Sequence, residues 1–251
     1  MKIKEIIENL ENFAPLSLAE EWDNSGFFLG DANTSVNSIL LSLDLTPAVI
    51  DEAINIGANL IITHHPVTLS PFHHILVSDK TGAMIIKLMQ NKIHVYSMHT
   101  NLDNCTGGVN DVLAARTGLA NVQILENTPL RLGRISPVSL EELIAVVKKE
   151  LGTKHLRYVG DLRKVVKKVA VLGGSGGDYI ENCIGLADVF VTADIKYHQA
   201  QTAAFYGLCL IDAGHFETEN IILEHLCRHI AAVGVPVRQT ATHTKSFLQY
   251  M

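Results

Sequence analysis

The 251-residue sequence is short of charge and of aromatic residues: charged residues make up 18% and aromatic residues 6%, with a single tryptophan. Its four cysteines, Cys105, Cys183, Cys209 and Cys227, contain no C-x-x-C pair. That spacing excludes a thiolate zinc site and a disulfide framework, and it predicts reduced, mostly buried thiols. Cationic excess is also missing. The net charge is −6, which argues against broad, charge-driven binding to nucleic acid or anionic membrane. The densest cationic stretch, RKVVKK over 163–168, reads as a solvated strand lead-in. No apolar run approaches transmembrane length, and MKIKEIIENLENF has no signal-peptide core, so a cytoplasmic protein is expected. What the sequence does have is 47% hydrophobic residues, enough for one large domain or two small ones.

The hydrophobic pattern alternates between helix and strand periods. Ile3, Ile6, Ile7, Leu10 and Phe13 fall at helical spacing and predict an amphipathic N-terminal helix. A buried strand over 39–45 leads to a helix opened by Pro47 and closed near Gly57, then to a strand over 60–63. Strand, helix, strand in this order is a βαβ unit and implies parallel pairing. A helix over 81–91, a strand over 93–98, a helix over 109–118 and a short strand over 122–125 complete this half. The plan then repeats. Strands over 169–172, 189–192, 208–211 and 235–239 alternate with helices over 178–187, 197–206 and 219–232.

The halves superpose in order: Ile39 to Leu41 over Val169 to Val171, Asn59 to Thr63 over Asp188 to Thr192, and His99-x-x-x-Asp103 over His215-x-x-x-Glu219. The expected fold is therefore α/β, with two pseudo-symmetric lobes from an internal duplication facing across a metal-binding cleft. The first lobe would span 1–127, with 240–251 returning to it. The second would span 128–239, including a connecting segment in which Ser139-x-x-Glu142 marks a helix capping box.

Ligands bind beyond the carboxyl ends of parallel strands. Three such ends carry imidazoles or carboxylates: His64-His65, His99 with Asp103, and His215 with Glu219. This donor mixture suits zinc, iron, manganese, cobalt or nickel better than calcium or magnesium. Adjacent histidines on a strand point apart, so His64 and His65 would reach neighbouring ions rather than chelate one. Asp194, Lys196 and His198 occupy the equivalent strand end of the second half, where they would line the cleft as substrate or acid–base groups. GGSGG over 173–177 reads either as a tight turn or as a phosphate cradle, although it lacks G-x-G-x-x-G spacing. His225 and His229 have metal-ligand spacing on a helix, but Leu226 stands where a zincin needs glutamate, so packing is expected. His73-His74 would lie in a lid loop, and His94 would be structural. Cys105 beside Asp103 is a weak ligand candidate among hard carboxylates.

The stretches EWDNSGFFLG (21–30), IITHHP (61–66), SMHTNLD (97–103), GGVND (107–111), GGSGG (173–177), TADIKYH (192–198) and DAGHFETE (212–219) together resemble one known family. It comprises the dinuclear metal-binding proteins labelled type-2 GTP cyclohydrolase I homologues, also called the Ngg-interacting-factor-like family. The resemblance covers nearly the whole chain and keeps the family's motif order. It implies two α/β lobes, two divalent ions in the cleft and a ring-shaped homohexamer. It also implies that His64 binds one ion with His215, that His65 and Asp103 bind the other, and that Glu219 bridges both. His99 would then orient Asp103 or water. Trp22, Asp23 and Asn24 match a family signature. Longer relatives carry a further domain between the halves, and this chain, with only a short 126–160 connection, resembles the minimal form.

Two function classes follow. One is a metal-dependent hydrolase of a small molecule, cleaving a cyclic amide, amidine or phosphate-type bond, with His99, Asp194 or Lys196 assisting proton transfer. The other is a non-catalytic metal-handling or regulatory module displayed on a hexamer.

Overall fold

The computed structural model describes residues 1–249. In chain order the first elements are α1 (Ile3–Phe13), β1 (Gly26–Leu29), β2 (Ile39–Ser42), α2 (Pro47–Ile56), β3 (Leu60–Thr63), α3 (Lys80–Gln90), β4 (His94–Ser97), α4 (Thr100–Asn104), α5 (Val109–Arg116) and β5 (Ala120–Ile124). They are followed by β6 (Arg131–Ser139), α6 (Leu140–Leu151), β7 (Arg157–Val159), β8 (Val165–Val171), α7 (Ile180–Cys183), β9 (Val189–Thr192), α8 (Tyr197–Phe205), β10 (Cys209–Asp212), α9 (His215–Glu219), α10 (Ile222–Ala231) and β11 (Val237–Gln239).

Local chemistry explains the best-defined helix ends. Thr46 accepts from the Val49 amide, Pro47 occupies the first helical turn of α2, and Gly57 closes it in the left-handed conformation, where a residue without Cβ carries no steric penalty. At α6 the Ser139–Glu142 capping box forms in both directions, as the motif predicts.

The chain divides into two compact units, Met1–Cys105 with Ile222–Lys245, and Thr106–Ile221 with the stretch from Ser246. The first is built on the sheet β1-β4-β3-β2-β11. Strands β11, β2, β3 and β4 run parallel, and β1 is antiparallel on β4. The second is built on the sheet β5-β6-β8-β9-β10-β7. Here β8, β9 and β10 run parallel, and β6 and β7 flank them antiparallel. Every residue of β2, β3, β4, β9 and β10 is buried. Such strands read as continuous apolar runs because helices cover both faces of a parallel sheet.

The mixed α/β class is thus as expected, whereas the boundaries differ from the expected 127/128 and 239/240. Strand β5 pairs with β6, so residues 106–127 belong with the second sheet. Strand β11 pairs with β2, so 235–239 completes the first sheet rather than closing the second half. Residues through Lys245 group with the first unit and those from Ser246 with the second. Residues 250 and 251 of the expected 240–251 return lie outside the described residues. The helix expected over 219–232 is α10, preceded by the short α9, and that over 178–187 is only a short turn and α7.

Candidate metal centre

In the first unit, β3 delivers two adjacent histidines at its carboxyl end. The Thr63 hydroxyl donates to the His65 carbonyl at 2.7 Å. The amides of His64 and His65 continue the ladder onto the Ser42 and Leu43 carbonyls. The two rings then part. His64, fully buried, lies with Nδ1 2.7 Å from the Met98 carbonyl, at the end of β4. His65 lies with Nδ1 2.7 Å from Asp44 Oδ1, just past β2. His99, following β4, lies with Nδ1 2.7 Å from Asp23 Oδ1.

Carbonyls and carboxylates only accept, so all three rings carry a proton on Nδ1, and in the neutral imidazole that tautomer leaves the lone pair on Nε2. One ligand atom from each of His64, His65 and His99 can be chosen so that all lie within 4.8 Å of one another. Asp103, on α4, places Oδ1 3.7 Å from His64 Nε2. The three rings come together at the ends of β3 and β4, and His99 is held by a carboxylate as His65 is.

The carboxylates that hold these rings were not legible as site residues. Asp23 accepts from His99, from Ser25 Oγ at 2.7 Å, and from the Thr100 amide and hydroxyl. Burial alone would raise its carboxyl, but the hydrogen bonds from His99, Ser25 and Thr100 hold it below the usual carboxylate range. Asp44 is shared between His65 and His243, whose Nε2 lies 2.7 Å from Oδ2. There too burial raises the carboxyl, and the two imidazole hydrogen bonds override it and lower it. The signature Trp22-Asp23-Asn24 thereby acquires a role. Asp23 fixes His99, the Trp22 ring stands edge-on to His99 at 6.0 Å, and Asn24 donates to the Thr68 carbonyl of the loop after His65.

In the second unit, His215 Nε2 lies 3.0 Å from Glu219 Oε2, one helical turn on in α9. Its Nδ1 lies 2.7 Å from Asp194 Oδ2, past the end of β9. Asp194 therefore does for His215 what Asp23 and Asp44 do for His99 and His65. Glycines make room for this pair. A Cβ at Gly174 would lie 2.0 Å from Glu219 Oε1 and 3.2 Å from His215 Nε2. Three of the GGSGG amides are committed inside the protein: Gly173 donates to Asn110 Oδ1, Gly174 to Thr218 Oγ1 and Gly176 to the Gly174 carbonyl. The loop is thus a tight turn against Glu219, and the phosphate-cradle reading has no support from it. Asn110, in GGVND, is fully buried and serves that turn.

The remaining candidates fall elsewhere. Lys196 and His198 are exposed, at the start of α8. His73 and His74 are exposed in the loop before α3. His225 and His229 pack on Phe13, with ring centroids 6.0 and 4.7 Å away, so their spacing reflects α10 lying on α1. His94 is buried in β4, and its Nδ1 accepts from the Asp31 amide at 3.1 Å.

Imidazole Nε2 atoms with fixed tautomers, beside buried or half-buried carboxylates, are the donor set of a borderline divalent cation. The space kept open at Gly174 for Glu219 and His215 fits the same purpose. Fold and donors together define a mixed α/β protein whose strand ends carry His/Glu groups able to hold a metal ion. The family model for Duf34/NIF3 (NGG1p interacting factor 3) matches residues 1–245, and the chain belongs to that family. It is 40% identical over 232 residues to a GTP cyclohydrolase 1 type 2 homolog of Clostridium perfringens, covering 89% of this chain and 88% of the relative. Among solved structures, a hypothetical protein of Staphylococcus aureus superposes with TM-score 0.92 at 30% identity, covering 100% of this chain and 99% of that one. Reduced HcgD from Methanocaldococcus jannaschii superposes with TM-score 0.87 at 32% identity, covering 96% and 98%. Among the described residues, no helix is long and apolar enough to cross a membrane.

Proposed function

We propose that the chain is a metal-dependent hydrolase of a small molecule, holding two divalent ions with His64, His65, Asp103, His215 and Glu219. The supporting observation is the Nδ1 pattern. His64 is held by a carbonyl, and His65, His99 and His215 are each held by a carboxylate, so each Nε2 lone pair is fixed in direction. When bound, such an ion supplies Lewis acidity and a more acidic water. The chain's own residues supply the rest. Asp44 and Asp194 orient His65 and His215, and Asp23 orients His99, whose Nε2 is the group we assign to proton transfer at the substrate. Asp194 is accordingly a positioning residue in this reading.

The internal duplication, the cleft and the ring-shaped homohexamer implied by the family resemblance belong to the same proposal. The relatives' name supplies GTP as a first substrate to try. With the Gly173, Gly174 and Gly176 amides committed inside the protein, the GGSGG loop is a poor cradle for its triphosphate, which favours a smaller substrate.

The test is elemental analysis and a metal-dependent substrate screen on wild type and Glu219→Gln. The expected result is about two ions per chain in wild type, at least one lost in the variant, and turnover that disappears with it. Unchanged metal content in the variant overturns the bridging role. Full metal content without turnover of any substrate class favours the non-catalytic metal-handling module.

A further inference from the structure

A second concave site lies wholly within the second unit. It is a cavity of about 220 Å³ whose wall includes Arg157, Tyr158, Ile195, Lys196, Tyr197 and Asp212. It opens beside the carboxyl ends of β9 and β10, where parallel sheets present their ligand sites. Its charges are unequal. Arg157 is pinned by Asp212 and by the Ile195 carbonyl, at 3.1 Å, so the Asp212 carboxylate is already engaged. Lys196 forms no ion pair among the described residues. Two cations against one carboxylate leave the wall with an excess of one positive charge, beside the N-terminus of the nine-residue helix α8, whose dipole adds in the same sense.

The aromatic content is as pointed. Tyr197 is 88% exposed and Tyr158 is 47% exposed, so two amphipathic rings stand in water at the cavity mouth. Such rings, on the same wall as the Arg157 guanidinium, offer stacking faces to a planar group. The cavity is smaller than the roughly 300–1,000 Å³ typical of sites for drug-sized ligands, which suits one ring with its substituent better than a whole nucleotide.

We propose that this cavity binds a small planar aromatic or heteroaromatic anion, its ring against Tyr158 and Tyr197 and its negative group on Lys196 and Arg157. The binding requires neither a metal ion nor any residue of the first unit, so it stands or falls apart from the hydrolase reading.

The experiment is a titration of full-length protein with nicotinate, followed by saturation-transfer NMR, before and after chelator treatment. Nicotinamide (ring without charge) and acetate (charge without ring) are the comparators. Nicotinate is expected to saturate, at least about fivefold tighter than either comparator, and to do so equally after chelation. Lys196→Gln and Tyr197→Ala, at exposed positions that leave circular dichroism and Tm unchanged, should each weaken it by about fivefold or more. The proposal is overturned by no saturable nicotinate binding, by equal affinity for all three probes, or by binding unmoved by both variants. Loss of binding on chelation also overturns it, since the anion would then be sitting on metal.

Discussion

Asp194 sits at φ +55°, in the left-handed region that asparagine and aspartate tolerate and most residues avoid. Its carboxylate fixes His215. Asp194→Asn keeps both the backbone preference and an oxygen to accept from Nδ1, so metal affinity should stay within a few-fold of wild type. Asp194→Ala loses the acceptor and adds about 1–2 kcal/mol of backbone strain, so affinity should fall about 10–100-fold. Competition with a chromophoric chelator separates the two. Gly174 makes the converse case. Its φ of +65° and the 2.0 Å approach of an added Cβ to Glu219 Oε1 mean that Gly174→Ala must push the carboxylate aside. That variant should lower Tm by several degrees and release metal, read by differential scanning calorimetry and elemental analysis. The residues that the sequence revealed at this scale were those in recognisable motifs at strand ends. Asp194 apart, it hid their partners. Asp23 and His99 are 76 residues apart, and Asp44 and His243 are 199 apart, and no local pattern marks such pairs.

Among the elements, the central parallel strands β2, β3, β9 and β10 were legible because they are wholly buried and mostly apolar. Strands β1, β6 and β7 were not. Strand β6 contains Gly133 and Pro137, which argue against a strand interior. The structure accommodates Pro137 where the β6–β8 register shifts between Arg134 and Val138, a bulge that needs no ladder donor there. The same strand carries fully buried Arg131, paired with Asp111 of α5 and donating to the Pro129 carbonyl at 3.0 Å. This pair ties α5 to the second sheet. Asp111→Ala would remove this charge-assisted hydrogen bond from a buried guanidinium, so a loss of about 1.5–3 kcal/mol is expected in urea denaturation. In β4, burial lowers the His94 pKa, with Asp31 pulling weakly upward, and the Asp31 amide requires an unprotonated Nδ1. A depressed folded-state pKa gives stability that is present above the unfolded value of 6.5 and is lost as pH falls below it. The urea midpoint of wild type should therefore drop between pH 8 and pH 5. In His94→Asn, whose amide oxygen can accept the same N–H, that drop should be shallower.

For the whole molecule, the decisive feature is that the chain leaves the first unit at Cys105 and returns to it at Ile222. A reading along the sequence assigns each stretch to its neighbours, so it placed 106–127 and 222–239 on the wrong sides. Only strand pairing reveals the exchange. The returning segment is integral to the first unit. Helix α10 packs beside β11 and β2 and buries Ile222, Leu223, Leu226 and Ile230, and His243 reaches Asp44. At roughly 2 kcal/mol for each buried aliphatic side chain, those four alone contribute about 8 kcal/mol. That is comparable with the roughly 5–15 kcal/mol by which a whole domain is stable. A chain ending at Ile221 should therefore lose the first unit's fold, with β2 left as an unpaired edge. A chain ending at Lys245, where the family match also ends, removes Phe247 and Leu248, each 71% exposed, and should keep its fold. Limited proteolysis with mass spectrometry distinguishes them: cleavage throughout 1–105 in the shorter chain, and a wild-type pattern in the longer. Equal protection of 1–105 in both would show that the returning segment is dispensable to that sheet.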